Sequence, residues 1–443
     1  MYFLYRLASA VGMIFLAPYY ALRGWRRGEP ALAERLGKFP PAIAARAAVS
    51  ANDQKARSIW IHAVSVGEVL AAEPLALALK RQFRDHAIFV STTTETGQRL
   101  ARERLDFVDG IFYFPLDWVM PVRRALRTIR PALVIVMETE IWPNFLREAR
   151  RCGVPVVFAN ARISEKSFAR YKRWEFLVGP FFNRVLADAS LFLAQTPEDA
   201  SRLAEMGAPD GHVEVTGNLK YDTEQPDLSR FGVWLEGEIE RQERWPVLVA
   251  GSVVAGEEEA VLAAYDIVQR RWRRALLILA PRKPDRFDAA ADIAIGGGWN
   301  VVRRSGADLE APLNENVDVL VLDSIGELAG LYLLADVVFV GGSLVPDGGH
   351  NILEPAWFAK SPVFGPSMEN FRNMAEQFLK ARAAIQVMSG PQLGKVWVQL
   401  IERNAERERM GQTARELSER NRGATARSLE RIAALLGRQE SPA

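Results

Sequence analysis

The feature that most constrains this chain is a series of short, continuous apolar runs, rich in β-branched residues, that alternate with longer stretches of helical character. In the first half the runs are Ile59 to Val64, Ala87 to Val90, Leu133 to Met137, Val154 to Phe158 and Leu191 to Ala194. A second series comes at Val247 to Ala250, Leu276 to Ala280, Asn300 to Val302, Val319 to Leu322, Val337 to Val340 and Pro362 to Phe364. Strands covered on both faces need no polar alternation, so runs of this kind predict parallel sheets with crossover helices. A chain of 443 residues, 49% of them hydrophobic, also exceeds what one core holds, since single cores stop growing near roughly 250–300 residues. The expectation is an α/β protein with two Rossmann-like domains facing a cleft, with polar and glycine-rich segments gathered at the carboxyl ends of the strands, where such folds bind ligands.

The N-terminus stands apart. From Leu7 to Leu22 it is almost wholly apolar, with Arg6 ahead and Arg23, Arg26 and Arg27 behind. Counted from Tyr2, the run approaches the roughly 20 residues that span a bilayer, and the trailing positive charge favours a cytoplasmic location for the two domains behind it. A membrane anchor over residues 1–27 is expected; a soluble helix packed on the body is the alternative. The remaining divisions are 28–57 as linker and lead-in, 58–228 as the first domain, 229–244 as connector, and 245–443 as the second domain with C-terminal helices. A formal net charge of +2 gives no nucleic-acid footprint, and the single cysteine, Cys152, excludes multi-cysteine metal sites and internal disulfides.

Candidate chemistry falls at the ends of the runs. Glu68, after Ile61 to Gly67, sits at the start of a helix, where it can stay ionised and accept a proton; a helix-capping role fits the same position. Glu138 and Glu140 come after a fully apolar strand and belong to the cleft rim, or hold the fold together through an Arg. The segment Asn160 to Arg173, with Arg162, Lys166 and Arg170, suits an anionic acceptor, although basic clusters are also common as solvated faces. Lys220, in Gly217 to Asp222, can offset charge on a departing phosphate. In the second half, small residues at Gly251 and Ser252, with Arg282 nearby, let backbone N–H groups and positive charge approach a phosphate. Gly341, Gly342 and Ser343 open a mobile glycine loop before a helix start at Asn351 to Glu354, where Glu354 can take ribose hydroxyls or Asn351 and Glu354 can form a cap. No dinucleotide fingerprint or Walker loop is present, and no metal-ligand cluster is visible.

Together, Ser65-Val66-Gly67-Glu68, Glu138-Thr139-Glu140-Ile141-Trp142-Pro143-Asn144, Asn160-Ala161-Arg162-Ile163-Ser164, Gly217-Asn218-Leu219-Lys220 and Gly341-Gly342-Ser343 through Glu354 resemble the signature blocks of the Kdo (3-deoxy-D-manno-octulosonic acid) transferase family. The resemblance covers nearly the whole chain. It implies a GT-B glycosyltransferase, inverting, with CMP-Kdo as donor and a lipid A precursor (lipid IVA) as acceptor, acting in lipopolysaccharide biosynthesis on the cytoplasmic face of a Gram-negative inner membrane. Carried over, the general base falls on Glu68, and Glu138 or Glu140 with Lys220 stabilise the transition state. CMP contacts fall on Pro281, Arg282, Ile325, Gly326, Glu327, Asn351, Ile352, Leu353 and Glu354, beside Gly251, Ser252, Gly341, Gly342 and Ser343. Acceptor contacts fall on Ser65, Gly67, Arg162, Ser164, Lys166 and Arg170. No cofactor or metal is expected. Another GT-B nucleotide-sugar enzyme, an epimerase or UDP-sugar transferase, and a membrane-tethered nucleotide-binding module without turnover are the alternatives.

Overall fold

The computed structural model of the protein describes residues 2, 5, 6, 31–52, 58–223 and 225–440. The chain divides into two compact units, Met1–Thr223 with Asn421–Ala443, and Glu224–Arg420. The first holds a sheet of β1 (Ser58–His62), β2 (Ala87–Thr92), β3 (Gly110–Tyr113), β4 (Pro131–Met137), β5 (Val156–Ala161), β6 (Leu191–Ala194) and β7 (Val213–Val215). Their spatial order is β3-β2-β1-β4-β5-β6-β7, and every pairing is parallel. Successive residues of β1 serve opposite faces: Trp60 joins Phe89, Phe112, Phe145 and Phe158 on one side, while Ile59 and Ile61 join Val90, Leu133 and Ile135 on the other. Both faces are dry, which is why the strand reads as an unbroken apolar run.

The second unit repeats the plan with β8 (Val247–Val253), β9 (Leu276–Pro281), β10 (Val301–Arg303), β11 (Val319–Val321), β12 (Val337–Val340), β13 (Pro362–Phe364) and β14 (Ile385–Gln386), in the order β10-β11-β9-β8-β12-β13-β14. Strand order reverses at β1/β4 in the first sheet and at β8/β12 in the second, the positions where open α/β sheets bind ligands. The strands without a counterpart among the apolar runs, β3, β7 and β14, are all edge strands, where short pairing suffices and one side stays wet.

Several expected boundaries move. The lead-in is not a loose linker: Pro41–Asn52 is a helix, with Ile43 and Ala47 buried against the first core, because an Ala-rich stretch behind a proline at the first helical position is a strong helix former. The expected connector is the helix Arg230–Arg241 of the second unit, capped by Ser229, whose Oγ accepts the Gly232 N–H at 3.1 Å, and anchored by fully buried Phe231 and Leu235. The last helix, Ala424–Glu440, belongs with the first unit and not with the second, because Ala424, Ile432 and Leu436 complete the apolar cluster around Ile59, Leu75 and Leu219. The expected anchor at 1–27 lies almost entirely outside the described residues; among the described residues no helix is long and apolar enough to cross a membrane. Of that segment, Tyr2 donates to Asp188 at 2.6 Å, Tyr5 to Asp117 at 2.7 Å, and Arg6 to Glu148 at 2.9 Å.

Candidate active site

Glu68 lies in the first turn of the helix Val66–Gln82, which Ala63, Val64 and Ser65 join to the end of β1. Its carboxyl turns back over the helix start: Oε2 accepts the Val64 N–H at 2.7 Å, and Oε1 accepts the Ser65 hydroxyl at 3.0 Å. Only 7% of the residue is exposed. Burial pushes its carboxyl up to about 7, the Val64 amide pulls the other way, the charges of Glu138 and Glu140 add to the rise, and Ser65 opposes it. These two bonds hold the carboxyl in one orientation at the helix start, and burial sets its change of charge near neutral pH.

The neighbouring acids come from the far side of the switch point. β4 ends at Met137, and Glu138, with a positive φ of 54°, begins the turn that follows it. The turn is tied to the end of β5 by Thr139, whose Oγ1 accepts the Arg162 N–H at 3.0 Å and donates to the Arg162 carbonyl. Glu138 meets a lysine, where an Arg partner was the alternative to a place at the cleft rim: Lys220 Nζ lies 3.6 Å from its Oε1. Glu140 is raised by burial and then by Glu138. Lys220 rides on the 3-10 turn Leu219–Asp222, which Asn160 orients by accepting the Leu219 N–H at 3.0 Å, and which Asp222 ties to the C-terminal helix by accepting the Gly423 N–H at 2.6 Å. Asn160 was read only as part of the acceptor segment; a polar residue one position before the end of the apolar strand β5, where it adopts a φ of 57°, is the signal that could have found this role. A Cβ built on Gly67 would stand 4.0 Å from Lys220 Nζ, so Gly67 faces this group.

Ser65, Gly67, Glu68, Glu138, Glu140 and Lys220 are therefore brought together. Ser164, by contrast, caps the helix Glu165–Leu186, its Oγ accepting the Ser167 N–H at 3.2 Å, and Lys166 and Arg170 lie exposed on that helix. The same helix shows solvent an apolar patch at Trp174, Phe176 and Leu177, with Phe176 91% exposed.

In the second unit a cavity of about 240 Å³ is lined by Val254, Arg282, Lys283, Asp285, Arg286 and Asp347, among others. The Arg282 backbone N–H donates to Val253 O at 2.8 Å, tying the end of β9 to the end of β8. Arg286 is committed to buried Glu258 at 2.6 Å. His350 lies 3.8 Å from Asp347, but burial and then the charge of Arg282 lower it to about 4, so it is a neutral ring at pH 7. The glycine loop is pinned: Gly349 donates to Gly342 O at 2.8 Å and Gly348 to Ser367 Oγ at 3.0 Å. The N–H groups of Gly342 and Ser343, expected to cradle phosphate, instead donate to the Glu257 carboxylate at 2.7 and 2.9 Å.

Other expected donor contacts carry packing. A Cβ on Gly251 would fall 1.9 Å from the Tyr332 hydroxyl, and one on Gly341 2.5 Å from Ser252 O, so both glycines admit neighbours. Ser252 holds a φ of 55° beside them. Ile352 and Leu353 are fully buried, and Asn351 caps the five-residue helix Leu353–Trp357 by accepting the Leu353 N–H at 3.1 Å, with its amide 3.3 Å from Glu354. Pro281 closes β9. Ile325 is 78% exposed beside Gly326, whereas Glu327, despite burial, is held below the usual carboxylate range by Ser324, Arg304 and Ser229. Among the described residues no group of three His, Cys, Asp or Glu is placed to hold a metal ion.

A solved UDP-GlcNAc 2-epimerase from Neisseria meningitidis, bound to UDP-GlcNAc, matches with a TM-score of 0.54 over 85% of this chain and 100% of that one, at 13% identity, a likeness of fold alone. Two parallel sheets of this order place the chain in the α/β class, with a GT-B-like fold. Residues 31–223 match the family described as 3-Deoxy-D-manno-octulosonic-acid transferase (kdotransferase). The chain is 34% identical over 385 residues to the 3-deoxy-D-manno-octulosonic acid transferase of Haemophilus influenzae, covering 86% of this chain and 88% of that one. It is 35% identical over 433 residues to the enzyme of the same name from Bordetella pertussis, covering 95% and 97%. The chain belongs to the 3-deoxy-D-manno-octulosonic acid transferase family.

Proposed function

We propose that the protein transfers Kdo from CMP-Kdo to a lipid A precursor with inversion at the anomeric carbon, Glu68 serving as general base. The observation that carries this is the Glu68 carboxyl, buried, hydrogen-bonded into one orientation and pushed up to about 7 beside two further acids. In the reaction an acceptor hydroxyl bonds to the anomeric carbon as its proton passes to Glu68, and the bond from that carbon to the phosphate oxygen breaks, releasing CMP. A base near neutrality is both ionised often enough and basic enough to take that proton. Glu138 and Glu140 raise its basicity, and Lys220, beside Glu138, is the cation assigned to charge developing on the leaving phosphate. Donor binding is assigned to the second unit, where Arg282 and Lys283 line the cavity.

Family membership supports the sugar, and the signature blocks support the nucleotide and acceptor. Action at a membrane surface is supported by the exposed Trp174, Phe176 and Leu177 on the helix that carries Lys166, Arg170 and Arg173, which suit an acceptor whose acyl chains stay in a bilayer. Purified protein supplied with CMP-Kdo and lipid IVA should give products heavier by whole Kdo residues in mass spectra, and Glu68→Gln should form them at least about 100-fold more slowly; turnover of a UDP-sugar in place of CMP-Kdo would overturn the assignment.

A further inference from the structure

At the switch point of the second sheet, the loops after β8 and β12 are joined by one fully buried carboxylate. Glu257 Oε2 accepts the N–H groups of Val254 at 3.1 Å and Gly342 at 2.7 Å; Oε1 accepts those of Ser343 at 2.9 Å and Leu344 at 2.8 Å. A buried carboxylate is costly unless its lone pairs are met, and here each oxygen meets two donors. Consecutive N–H groups after a strand form the kind of nest that elsewhere takes a ligand's phosphate. In this chain the protein fills the nest with its own anion.

We propose that Glu257 is a positioning residue for the donor, a built-in anion that fixes both switch-point loops so that the cavity is preformed and the donor phosphate is met by the Arg282 and Lys283 side chains. The loops it holds contribute Val254, Ala255, Val345, Pro346 and Asp347 to that cavity. The proposal rests on the assignment of donor binding to this unit. While Glu257 is in place, the Gly342 and Ser343 amides do not bind phosphate.

The test uses the full-length protein with Glu257→Gln and Glu257→Asp, reading CMP affinity by calorimetry, steady-state constants with CMP-Kdo, and hydrogen exchange at residues 342–344. A glutamine presents its NH2 to two N–H groups, so Glu257→Gln should raise the CMP Kd and the donor KM about tenfold or more, leave kcat within about threefold, and speed exchange at 342–344. Glu257→Asp, which keeps the charge, should recover part of the affinity. A Glu257→Gln protein that binds CMP as wild type does, or that loses kcat at unchanged KM, would overturn the proposal. Should Glu257→Gln fail to fold, Glu257→Asp decides by the same comparison, with wild-type affinity again counting against it. Wild-type protein that binds no CMP would overturn the donor assignment itself, an outcome the variants do not mimic.

Discussion

At Glu68 a carboxyl is kept at a cost in stability so that it can change charge near pH 7. Because it gains its proton more readily folded than unfolded, the folded state binds more protons between the ordinary value of 4.5 and about 7, and stability falls as pH rises through that window. Glu68→Gln should remove that penalty. At pH 8 the variant should be more stable than wild type by roughly 1–3 kcal/mol in denaturant titrations, while transfer falls by about 10²–10⁴-fold. For wild type, kcat/KM should fall below an apparent pKa of about 7. Glu140→Gln, which takes away one of the charges that raise Glu68, should move that limb to lower pH; a limb that stays in place would separate Glu140 from the base. The sequence placed Glu68 at a helix start and left base and cap as rivals. In the structure its carboxyl takes the Val64 N–H and the Ser65 hydroxyl, neither of them an N–H of the helix, and its burial is something no local pattern shows. Glu138 and Glu140 follow β4 in a turn that Glu138 enters with a positive φ of 54°, and the apolar pattern, which ends with the strand, does not show that this turn lies beside Glu68.

Among the elements, the helix Pro143–Arg151 shows how the acid turn is braced from behind. Asp117 accepts the N–H groups of Asn144 at 3.1 Å and Phe145 at 2.7 Å, and it also accepts the Tyr5 hydroxyl. Burial raises the Asp117 carboxyl while those donors oppose the rise. Asp117→Ala leaves two buried donors unmet and should cost about 2–4 kcal/mol, a fall of roughly 4–12 °C in the first unit's melting transition by calorimetry. Tyr5→Phe, which leaves the helix cap intact, should cost no more than about 1–2 kcal/mol. If both variants melt as wild type does, the brace contributes nothing. The central strands were legible because burial on both faces writes itself into composition. β3, β7 and β14 were not, since edge strands of two to four residues need little apolar surface.

On the scale of the whole molecule, the C-terminal helix Ala424–Glu440 returns to the first unit and supports the turn that carries Lys220. Arg427 donates to Thr216 O at 2.8 Å, and Ser428 to Thr216 Oγ1 at 3.2 Å. Removing residues 421–443 uncovers the sites filled by Ile432 and Leu436, each worth about 1.5–3 kcal/mol when fully buried. The truncated protein should lower the first unit's melting transition, leave the second unit's in place, and still bind CMP while transfer is lost. Retained transfer would show that the Lys220 turn holds without the helix.

Sequence alone determined two parallel sheets, the family, and the clustering of polar residues at strand ends. Each structural feature among these reflects local composition: a run of residues buried on both faces must be apolar, and a strand end that meets ligand must be small or polar. Tertiary structure alone decided which half takes the last helix, that Glu257 fills the amide nest expected to hold phosphate, and that burial pushes the Glu68 carboxyl up to about 7. Those depend on desolvation, on charges and on donors from residues distant in the chain, and fields and hydrogen bonds of that kind exist only once separate segments have been brought together.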